Sequence, residues 1–223
     1  HLSAPKAAHG QVVVVGLGSG VPGQITPEVD AALRHCDTVA GYSNYVDFIR
    51  DRIIGKPIIQ NGMMGEVARC RATLEAAAAG QEVCMVCSGD PGILAMAGLL
   101  FELRAREPEF ADIPIRVLPG ITAANIAAAS LGAPLQNGFS LVSLSDLLVP
   151  SDENLRAVAQ SALPVTLYNP AGRKRRHLLT EALDIFREQR GGDVLCAYVR
   201  HAGRPQEAKW IGRLDDFPAD EVD

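Results

Sequence analysis

Apolar and polar positions in the first half of the chain follow two periods. Short continuous apolar runs predict buried strands, and apolar residues spaced by three and four predict helices. The strands are predicted at residues 11–16, 38–40, 57–60, 82–87 and 115–118, and the helices at residues 27–36, 65–79 and 93–106. Thr26 is placed to cap the first helix, with Pro27 as its first residue. This alternation predicts a parallel sheet with crossover helices.

The pattern starts again after residue 120. Helices are predicted at residues 122–130 and 174–189, and strands at residues 139–144, 164–168, 193–199 and 207–212. Segment 131–138 contains Gly, Pro and Asn, which favours a domain junction there. We therefore predict an α/β protein of two lobes, residues 11–133 and 134–223. Each lobe is expected to be a mostly parallel or mixed sheet flanked by helices, with an active-site cleft between the lobes.

Composition limits the possible functions. The 223 residues are 48% hydrophobic, which is enough for a sizeable core. The net charge of −5 argues against a nucleic-acid partner, because phosphate binding needs a broad basic face. There is no apolar run long enough to span a bilayer and no apolar signal segment near the start, so we predict a cytoplasmic protein without a membrane partner. The sequence begins at His1 rather than Met, and we expect a trimmed terminus there.

The cysteines and histidines predict neither a disulfide framework nor a metal site. The five cysteines are an odd number without an export signal, which favours reduced thiols. Cys84 and Cys87 form a C-x-x-C pair inside a predicted strand, so their side chains should point to opposite faces and both are assigned to the core. The histidines are scattered and show no metal-site spacing, so we predict no metal.

The strand at residues 82–87 ends in a turn that is typical of a ligand site. Gly89 leaves backbone uncovered, Pro91 fixes one dihedral angle, and Asp90 is the one carboxylate of the turn. Ligands of open α/β sheets bind at the carboxyl ends of strands. The sequence therefore predicts a ligand here, and a plain strand-to-helix turn remains the alternative.

A second glycine-rich segment covers residues 16–23. Counted from Gly18, it matches the G-x-G-x-x-G pattern of dinucleotide-binding turns, which would indicate an NAD(P)-dependent oxidoreductase. The context fits poorly, because Pro22 interrupts the segment and the next helix begins only at Pro27. The second predicted strand also leads into Gly41 and Tyr42 rather than an acidic residue. The dinucleotide hypothesis is therefore the runner-up.

Four short motifs together resemble one known family. They are Val-Gly-Leu-Gly-Ser-Gly at 15–20, Ser-Gly-Asp-Pro-Gly-Ile at 88–93, Leu-Pro-Gly-Ile-Thr-Ala-Ala at 118–124 and Leu-Tyr-Asn-Pro at 167–170. In this order they resemble the tetrapyrrole methylases, over nearly the whole chain from Gln11. The resemblance implies two α/β lobes, usually in a homodimer, with S-adenosylmethionine bound between the lobes and a tetrapyrrole above it.

Carried over position by position, the resemblance also implies site residues. Those expected to contact the cofactor are Ser88, Gly89, Asp90, Ile93, Thr122, Ala123, Asn169 and Ala202. Structural alternatives remain, with Thr122 as a helix cap and Asn169 as a strand end before a Pro turn. The family pattern is incomplete, since Ser19 and Leu94 stand where other residues are usual. The family also usually continues past Asp223 into a final strand, so we expect a truncated second lobe.

Further motifs resemble a subgroup of cobalamin synthesis. They are Gly-Tyr-Ser-Asn-Tyr at 41–45, Met-Ala-Gly at 96–98 and Ser-Leu-Ser-Asp-Leu-Leu at 143–148. The implied reaction methylates C17 of precorrin-3B and contracts the ring to give precorrin-4, and contraction needs proton transfers. The candidate catalytic groups are Asp146, Tyr42 and Ser19, and the candidate substrate contacts are Tyr45 and Arg173, with Arg69 and Arg71 as further basic candidates. Core packing of the tyrosines and a solvated basic face remain alternatives.

Three other functions stay open. A sibling enzyme of the same fold would act on the cobalt-containing substrate or methylate another ring carbon. An oxidoreductase would bind NAD(P)H through residues 18–23. A catalytically idle protein would bind a tetrapyrrole without transferring a methyl group, and turnover separates it from an enzyme.

Overall fold

The computed structural model describes residues 10–61, 65–145, 152–170 and 176–222. By its internal contacts the chain forms two compact units, one up to Ala123 and one from Ala124 onward. The division falls at the start of a helix, ahead of the predicted junction after residue 133. Two predicted site residues, Asp146 and Arg173, lie outside the described residues.

The first unit is built on one five-stranded sheet. Its strands are β1 (Gln11–Gly16), β2 (Thr38–Tyr42), β3 (Ile58–Asn61), β4 (Glu82–Cys87) and β5 (Ile115–Leu118). They are parallel and lie in the order β3-β2-β4-β1-β5. The helices are α1 (Pro27–His35), α2 (Ser43–Asp47), α3 (Glu66–Ala78) and α4 (Ala97–Arg106), with short 3-10 turns at Pro22–Gln24, Arg50–Arg52 and Pro108–Phe110. The predicted parallel sheet with crossover helices is confirmed.

Helix α1 begins where its sequence predicts. The Thr26 side chain accepts a hydrogen bond from the backbone nitrogen of Val29 at 3.3 Å, which satisfies one of the N–H groups left over at a helix start. Pro27 occupies the first helical position, where its missing N–H costs nothing. Val29 and Leu33, spaced four apart, are buried and anchor the helix to the sheet.

The central strand β4 contributes to a separate core on each face of the sheet. Cys84 belongs to the core that includes Leu33 of α1, and Cys87 belongs to the core that includes Leu74 of α3 and Leu100 of α4. Both thiols are buried. The prediction that these cysteines are core residues on opposite faces is confirmed, because side chains alternate along a strand.

In the described part of the second unit there are two small sheets. Strands β6 (Ser140–Ser143) and β7 (Val165–Tyr168) are parallel, and β8 (Leu195–Arg200) and β9 (Ala208–Arg213) form an antiparallel hairpin. Its helices are α6 (Asp152–Gln160) and α7 (Arg176–Arg190), with short 3-10 turns at Leu214–Asp216 and Ala219–Glu221, and α5 (Ala123–Ser130) spans the division between the units. Helices α6 and α7 pack together over a core of Leu144, Leu155, Leu179, Leu183 and Phe186.

Some elements differ from the prediction. Helix α4 begins at Ala97 instead of Ile93, because Leu94 has a φ of +52°, which a right-handed helix cannot include. Helices α2 and α6 were not predicted, although Leu155 and Ala159 in α6 are spaced four apart and both buried. Among the described residues, no helix combines the length and apolar character needed to cross a membrane.

Candidate functional site

Three loops meet at the carboxyl edge of the first sheet. Strands β4, β1 and β5 are neighbours there, and residues 88–92, 17–20 and 119–122 follow them. A Cβ atom built on Gly120 would lie 2.1 Å from the carbonyl oxygen of Gly89, and one built on Gly16 would lie 2.6 Å from the nitrogen of Gly120. Neither position accepts a side chain without movement of backbone. We call Gly16, Gly89 and Gly120 the glycine contact.

Hydrogen bonds join the loops after β1 and β4. The Gly18 nitrogen donates to the Gly89 carbonyl at 3.2 Å, and the Gly89 nitrogen donates to the Gly18 carbonyl at 2.8 Å. Both residues have φ near +60°, at +59° and +66°, in the left-handed region that favours glycine. These two glycines therefore permit a pairing that residues with side chains would strain.

Asp90 connects the loops after β4 and β5. Its Oδ1 accepts a hydrogen bond from the Gly92 nitrogen at 2.8 Å, and its Oδ2 accepts one from the Gly120 nitrogen at 3.0 Å. A carboxylate that accepts two backbone N–H groups makes charge-assisted bonds, which are stronger than neutral ones. The structure therefore gives Asp90 the role of holding the shape of this edge.

The surroundings of these loops fit the cofactor that the resemblance implies. Ile93, Leu94 and Ile121 keep 37%, 40% and 39% of their surface exposed beside the loops. The adjacent Thr122 is buried. Small-molecule sites combine apolar side chains with a few placed polar groups, and glycine backbone allows close approach of a ligand. The exposed apolar groups and backbone at this edge suit an adenosine.

Two other chemistries lose support in the structure. Cys87 lies directly before Ser88, but burial raises the pKa of its thiol to about 11. It stays protonated at neutral pH and cannot act as a thiolate nucleophile. Near Gly23 there is only the short turn Pro22–Gln24, and α1 begins after it. A dinucleotide turn requires a helix N-terminus at that glycine, so the oxidoreductase hypothesis loses its structural basis.

Three predicted residues lie at the same edge of the sheet: Tyr42 ends β2, Tyr45 lies in the following helix α2, and Ser19 lies in the loop after β1. Ser19 is buried, and its backbone nitrogen donates to the Gln24 side chain at 3.1 Å. The Tyr42 and Tyr45 rings meet edge to face with centroids 5.2 Å apart. Both tyrosines are half-buried, so they combine packing with partial access to solvent. Two of the three candidate catalytic groups, Ser19 and Tyr42, thus lie at the edge of the sheet where ligands of this fold class bind.

In the second unit, the predicted residue Asn169 stands at the end of β7. It has a φ of +52°, an uncommon conformation for a residue other than glycine, and its Nδ2 donates to Ser143 Oγ at 3.1 Å. The neighbouring Tyr168 hydroxyl accepts a hydrogen bond from the Ala124 nitrogen at 2.8 Å. Ala202 lies in the turn that joins β8 to β9.

The basic candidates have mixed outcomes. Arg69 is only 3% exposed, so the alternative that it lies on a solvated helix face is wrong. Arg71 donates to both carboxylate oxygens of Glu107. Across the described residues there is no group of three or more His, Cys, Asp and Glu side chains arranged to bind a metal ion.

Sequence reasoning missed two polar residues of the second unit. They are Ser143, which lies in the motif at 143–148, and Tyr168, which lies in the motif at 167–170. Both residues end neighbouring parallel strands, β6 and β7, and Ser143 pairs with Tyr168 in the strand register. The carboxyl ends of parallel strands meet at one edge, so a comparison of strand ends would have identified them.

Comparison with known sequences identifies the family. A sequence profile of the Tetrapyrrole (Corrin/Porphyrin) Methylases matches residues 11–218. The chain belongs to the tetrapyrrole methylase family. Tetrapyrrole methylases use S-adenosylmethionine as methyl donor, which agrees with the surroundings of the loops after β1, β4 and β5.

Individual tetrapyrrole methylases are similar over most of the chain. A probable cobalt-factor III C(17)-methyltransferase of Salmonella typhimurium is 36% identical over 213 residues, 94% of this chain and 88% of that protein. A precorrin-3B C(17)-methyltransferase of a Sinorhizobium species is 35% identical over 218 residues, 96% of this chain and 85% of that protein. The crystal structure of the methyltransferase CobJ superimposes with a TM-score of 0.91 at 39% identity, covering 96% of this chain and 90% of that one.

Other tetrapyrrole methylase relatives are longer than this chain. Three of these relatives are 33% to 38% identical to this chain, and the matched part of the chain spans 40% to 49% of their lengths. The predicted α/β fold of the family is confirmed by these comparisons.

Proposed function

We propose that this protein is an S-adenosylmethionine-dependent methyltransferase that methylates C17 of precorrin-3B and contracts the ring to give precorrin-4. The observation that carries the proposal is the similarity, over 94% and 96% of the chain, to two relatives that are both named for methylation at C17. Those names differ in whether the substrate holds cobalt. The cobalt-containing cobalt-factor III is therefore the second candidate substrate.

The loops of the first sheet are proposed to bind the cofactor. When bound, S-adenosylmethionine supplies an electrophilic methyl group on a sulfonium. The backbone around Gly89 and the side chains of Ile93 and Thr122 would hold the adenosine, and Ser88 and Ala123 would contribute neighbouring contacts. Methyl transfer needs alignment of nucleophile, methyl carbon and sulfur, and alignment of this kind contributes up to about 7–11 kcal/mol. The close backbone approach at the glycine contact supports such alignment.

The tetrapyrrole is proposed to lie against the residues that follow β1 and β2. Tyr45 would contact the macrocycle, while Tyr42 and Ser19 would move protons during ring contraction. Their position at the edge of the same sheet as the cofactor loops supports this assignment. Asp146 and Arg173, which lie outside the described residues, complete the proposed set as a proton-transfer group and a partner of substrate carboxylates.

The test is a turnover assay with both candidate substrates. Purified protein is incubated with S-adenosylmethionine and either precorrin-3B or cobalt-factor III, and S-adenosylhomocysteine and the product mass are measured. We expect one methyl group per product, located at C17 by NMR, with precorrin-3B as the preferred substrate. Faster turnover of cobalt-factor III would assign the cobalt-containing substrate. Absence of methyl transfer to both, or binding of NADPH in place of S-adenosylhomocysteine, would refute the proposal.

We also propose that the enzyme acts as a homodimer in the cytoplasm. The outward face of the β8–β9 hairpin supports a dimer, because Leu195 is 74% and Ile211 is 52% exposed on strands that pair with each other. Unpaired cysteines support a reducing compartment. Light scattering should give twice the chain mass for the wild type and a single chain for Leu195→Glu. A variant that remains dimeric would place the interface elsewhere.

A further inference from the structure

Two buried thiols of the first unit lie against each other. Cys36 directly follows α1, and Cys84 lies in the central strand β4. They are 1% and 0% exposed and belong to the same core, on the α1 face of the sheet. The Cys84 thiol is hydrogen-bonded to the Cys36 sulfur, and Cys36 Sγ donates to the Leu33 carbonyl at 3.4 Å. We call Cys36 and Cys84 the core dithiol.

The fold brings these two sulfur atoms together from distant parts of the sequence. Strand β2 pairs with β4, and its register sets Val39 beside Cys84, three residues after Cys36. The turn from α1 into β2 therefore carries Cys36 to the side chain of Cys84. A disulfide needs Cβ atoms about 3.5–4.5 Å apart, a spacing that two hydrogen-bonded thiols approach.

The two thiols of the core dithiol differ in acidity. The hydrogen bond donated by Cys84 lowers the pKa of Cys36, and the nearby Lys56 ammonium acts in the same direction against burial. Lys56 is held there because its Nζ donates to the carbonyls of Cys36 and Arg34, at 2.5 and 2.9 Å. The same thiol–thiol bond, together with burial, raises the pKa of Cys84. Cys36 is therefore the thiol that ionises first and is the nucleophile of the pair.

Cys36 lies directly beneath the surface. The residues beside it in the chain, Arg34, His35 and Asp37, are all exposed. A local opening of this short segment uncovers the Cys36 sulfur while the sheet stays intact, and such openings need less free energy than global unfolding. A small uncharged oxidant such as a hydroperoxide can then reach the thiolate.

We propose that the core dithiol is a redox modification site, which a hydroperoxide converts into a disulfide within the native fold. The Cys36 thiolate attacks one peroxide oxygen, the O–O bond breaks, and the hydroxide leaves as water with the proton that Cys36 released. The Cys84 thiol then attacks the sulfur of the Cys36 sulfenic acid, the S–O bond breaks and a second water leaves. The two thiols lose two electrons and the peroxide gains them. The inference does not depend on the methyltransferase assignment.

The test is controlled oxidation of the full chain. Reduced protein is incubated with hydrogen peroxide in native buffer, and its intact mass and non-reduced peptides are measured by mass spectrometry. We expect the loss of two hydrogen atoms, a linked peptide that joins Cys36 to Cys84, and reversal by dithiothreitol. Cys36→Ala should abolish the link. Cys70→Ala is the matched control and should keep it, because Cys70 is also buried but lies in the core on the other face of the sheet.

Thermal unfolding tests whether the link fits the native fold. Closing the loop from Cys36 to Cys84 restricts the unfolded chain, so Tm of the oxidised protein should rise by roughly 5–15 °C over the reduced protein. A lower Tm after oxidation would contradict a link within the native fold.

Three results of the oxidation would overturn the inference. One is a linked peptide that joins other cysteines, and another is oxidation confined to the half-buried Cys196. The third is a Cys36–Cys84 link that forms only in guanidinium chloride, which would show that burial excludes the oxidant. If Cys36→Ala fails to fold, peptide mapping of the wild type still decides, because it identifies the linked residues directly.

Discussion

The glycine contact gives the sharpest test of the first unit. In Gly120→Ala the new Cβ would lie 2.1 Å from the Gly89 carbonyl oxygen, where ordinary contact begins at 3.4 Å. The two backbones must therefore separate by about 1.3 Å, which would stretch the 3.0 Å bond from the Gly120 nitrogen to Asp90. Overpacking typically costs 1–3 kcal/mol and a lost hydrogen bond about 1 kcal/mol, so we expect a loss of about 2–4 kcal/mol.

The loss is measurable by thermal unfolding and by ligand binding. For a chain of this size each kcal/mol lowers Tm by about 2–4 °C, so Tm should fall by roughly 5–15 °C. Binding of S-adenosylhomocysteine should weaken in parallel. Gly98→Ala is the control, because a Cβ at Gly98 in α4 meets nothing within 4 Å and should stabilise the helix by roughly 0.5–1 kcal/mol. A Gly120→Ala protein with wild-type Tm and affinity would refute the steric argument.

Three further predictions concern named contacts. Asp90→Asn turns an NH2 group toward a backbone N–H such as that of Gly120, so one hydrogen bond is lost. The free energy of unfolding, measured by denaturant titration, should fall by about 1–3 kcal/mol. Cys87 should resist iodoacetamide near neutral pH in the folded protein and react in guanidinium chloride, as peptide mass spectrometry can show, because burial raises its pKa to about 11. Tyr168→Phe removes the acceptor of the Ala124 N–H and should lower the free energy of unfolding by about 1 kcal/mol.

Each of these predictions has a clear contrary result. Unchanged stability in the Asp90 variant would mean that the carboxylate does not hold the two loops. Rapid alkylation of folded Cys87 would contradict its burial. A Tyr168 variant as stable as the wild type would show that water replaces the hydroxyl at the start of α5.

Strands β1, β2 and β4 of the first unit were predictable because they are buried on both faces. A continuous apolar run such as the valines of β1 is typical of a strand in a parallel sheet. Strands β1, β4 and β5 have the predicted bounds. The start of α4 was not predictable from periodicity, because the left-handed Leu94 lies inside an apolar run that continues without a break. Local backbone geometry of this kind depends on the hydrogen bonds of the preceding turn, where the Ile93 nitrogen donates to the Asp90 carbonyl at 3.3 Å.

The candidate site was predictable in its location but not in the roles of its atoms. Glycines after β1, β4 and β5 indicated a ligand edge, and the motif order indicated the family. No sequence pattern indicates that both Asp90 oxygens accept hydrogen bonds from backbone nitrogens, since that requires the Gly120 loop to lie beside the Gly92 loop. Likewise, Ser143 and Asn169 are far apart in sequence and meet only because β6 and β7 pair.

The pairing of Gly18 with Gly89 also bears on the entropy of ligand binding. Ordering one residue of a mobile loop costs about 1–2 kcal/mol, and a protein that orders its loops only around the ligand loses that amount from affinity. Here the loops after β1, β4 and β5 are joined by hydrogen bonds within the chain. The entropy cost of ordering these loops is therefore part of folding and is not taken from the free energy of ligand binding. A ligand at this edge meets a surface that is already organised, and its affinity reflects its own contacts.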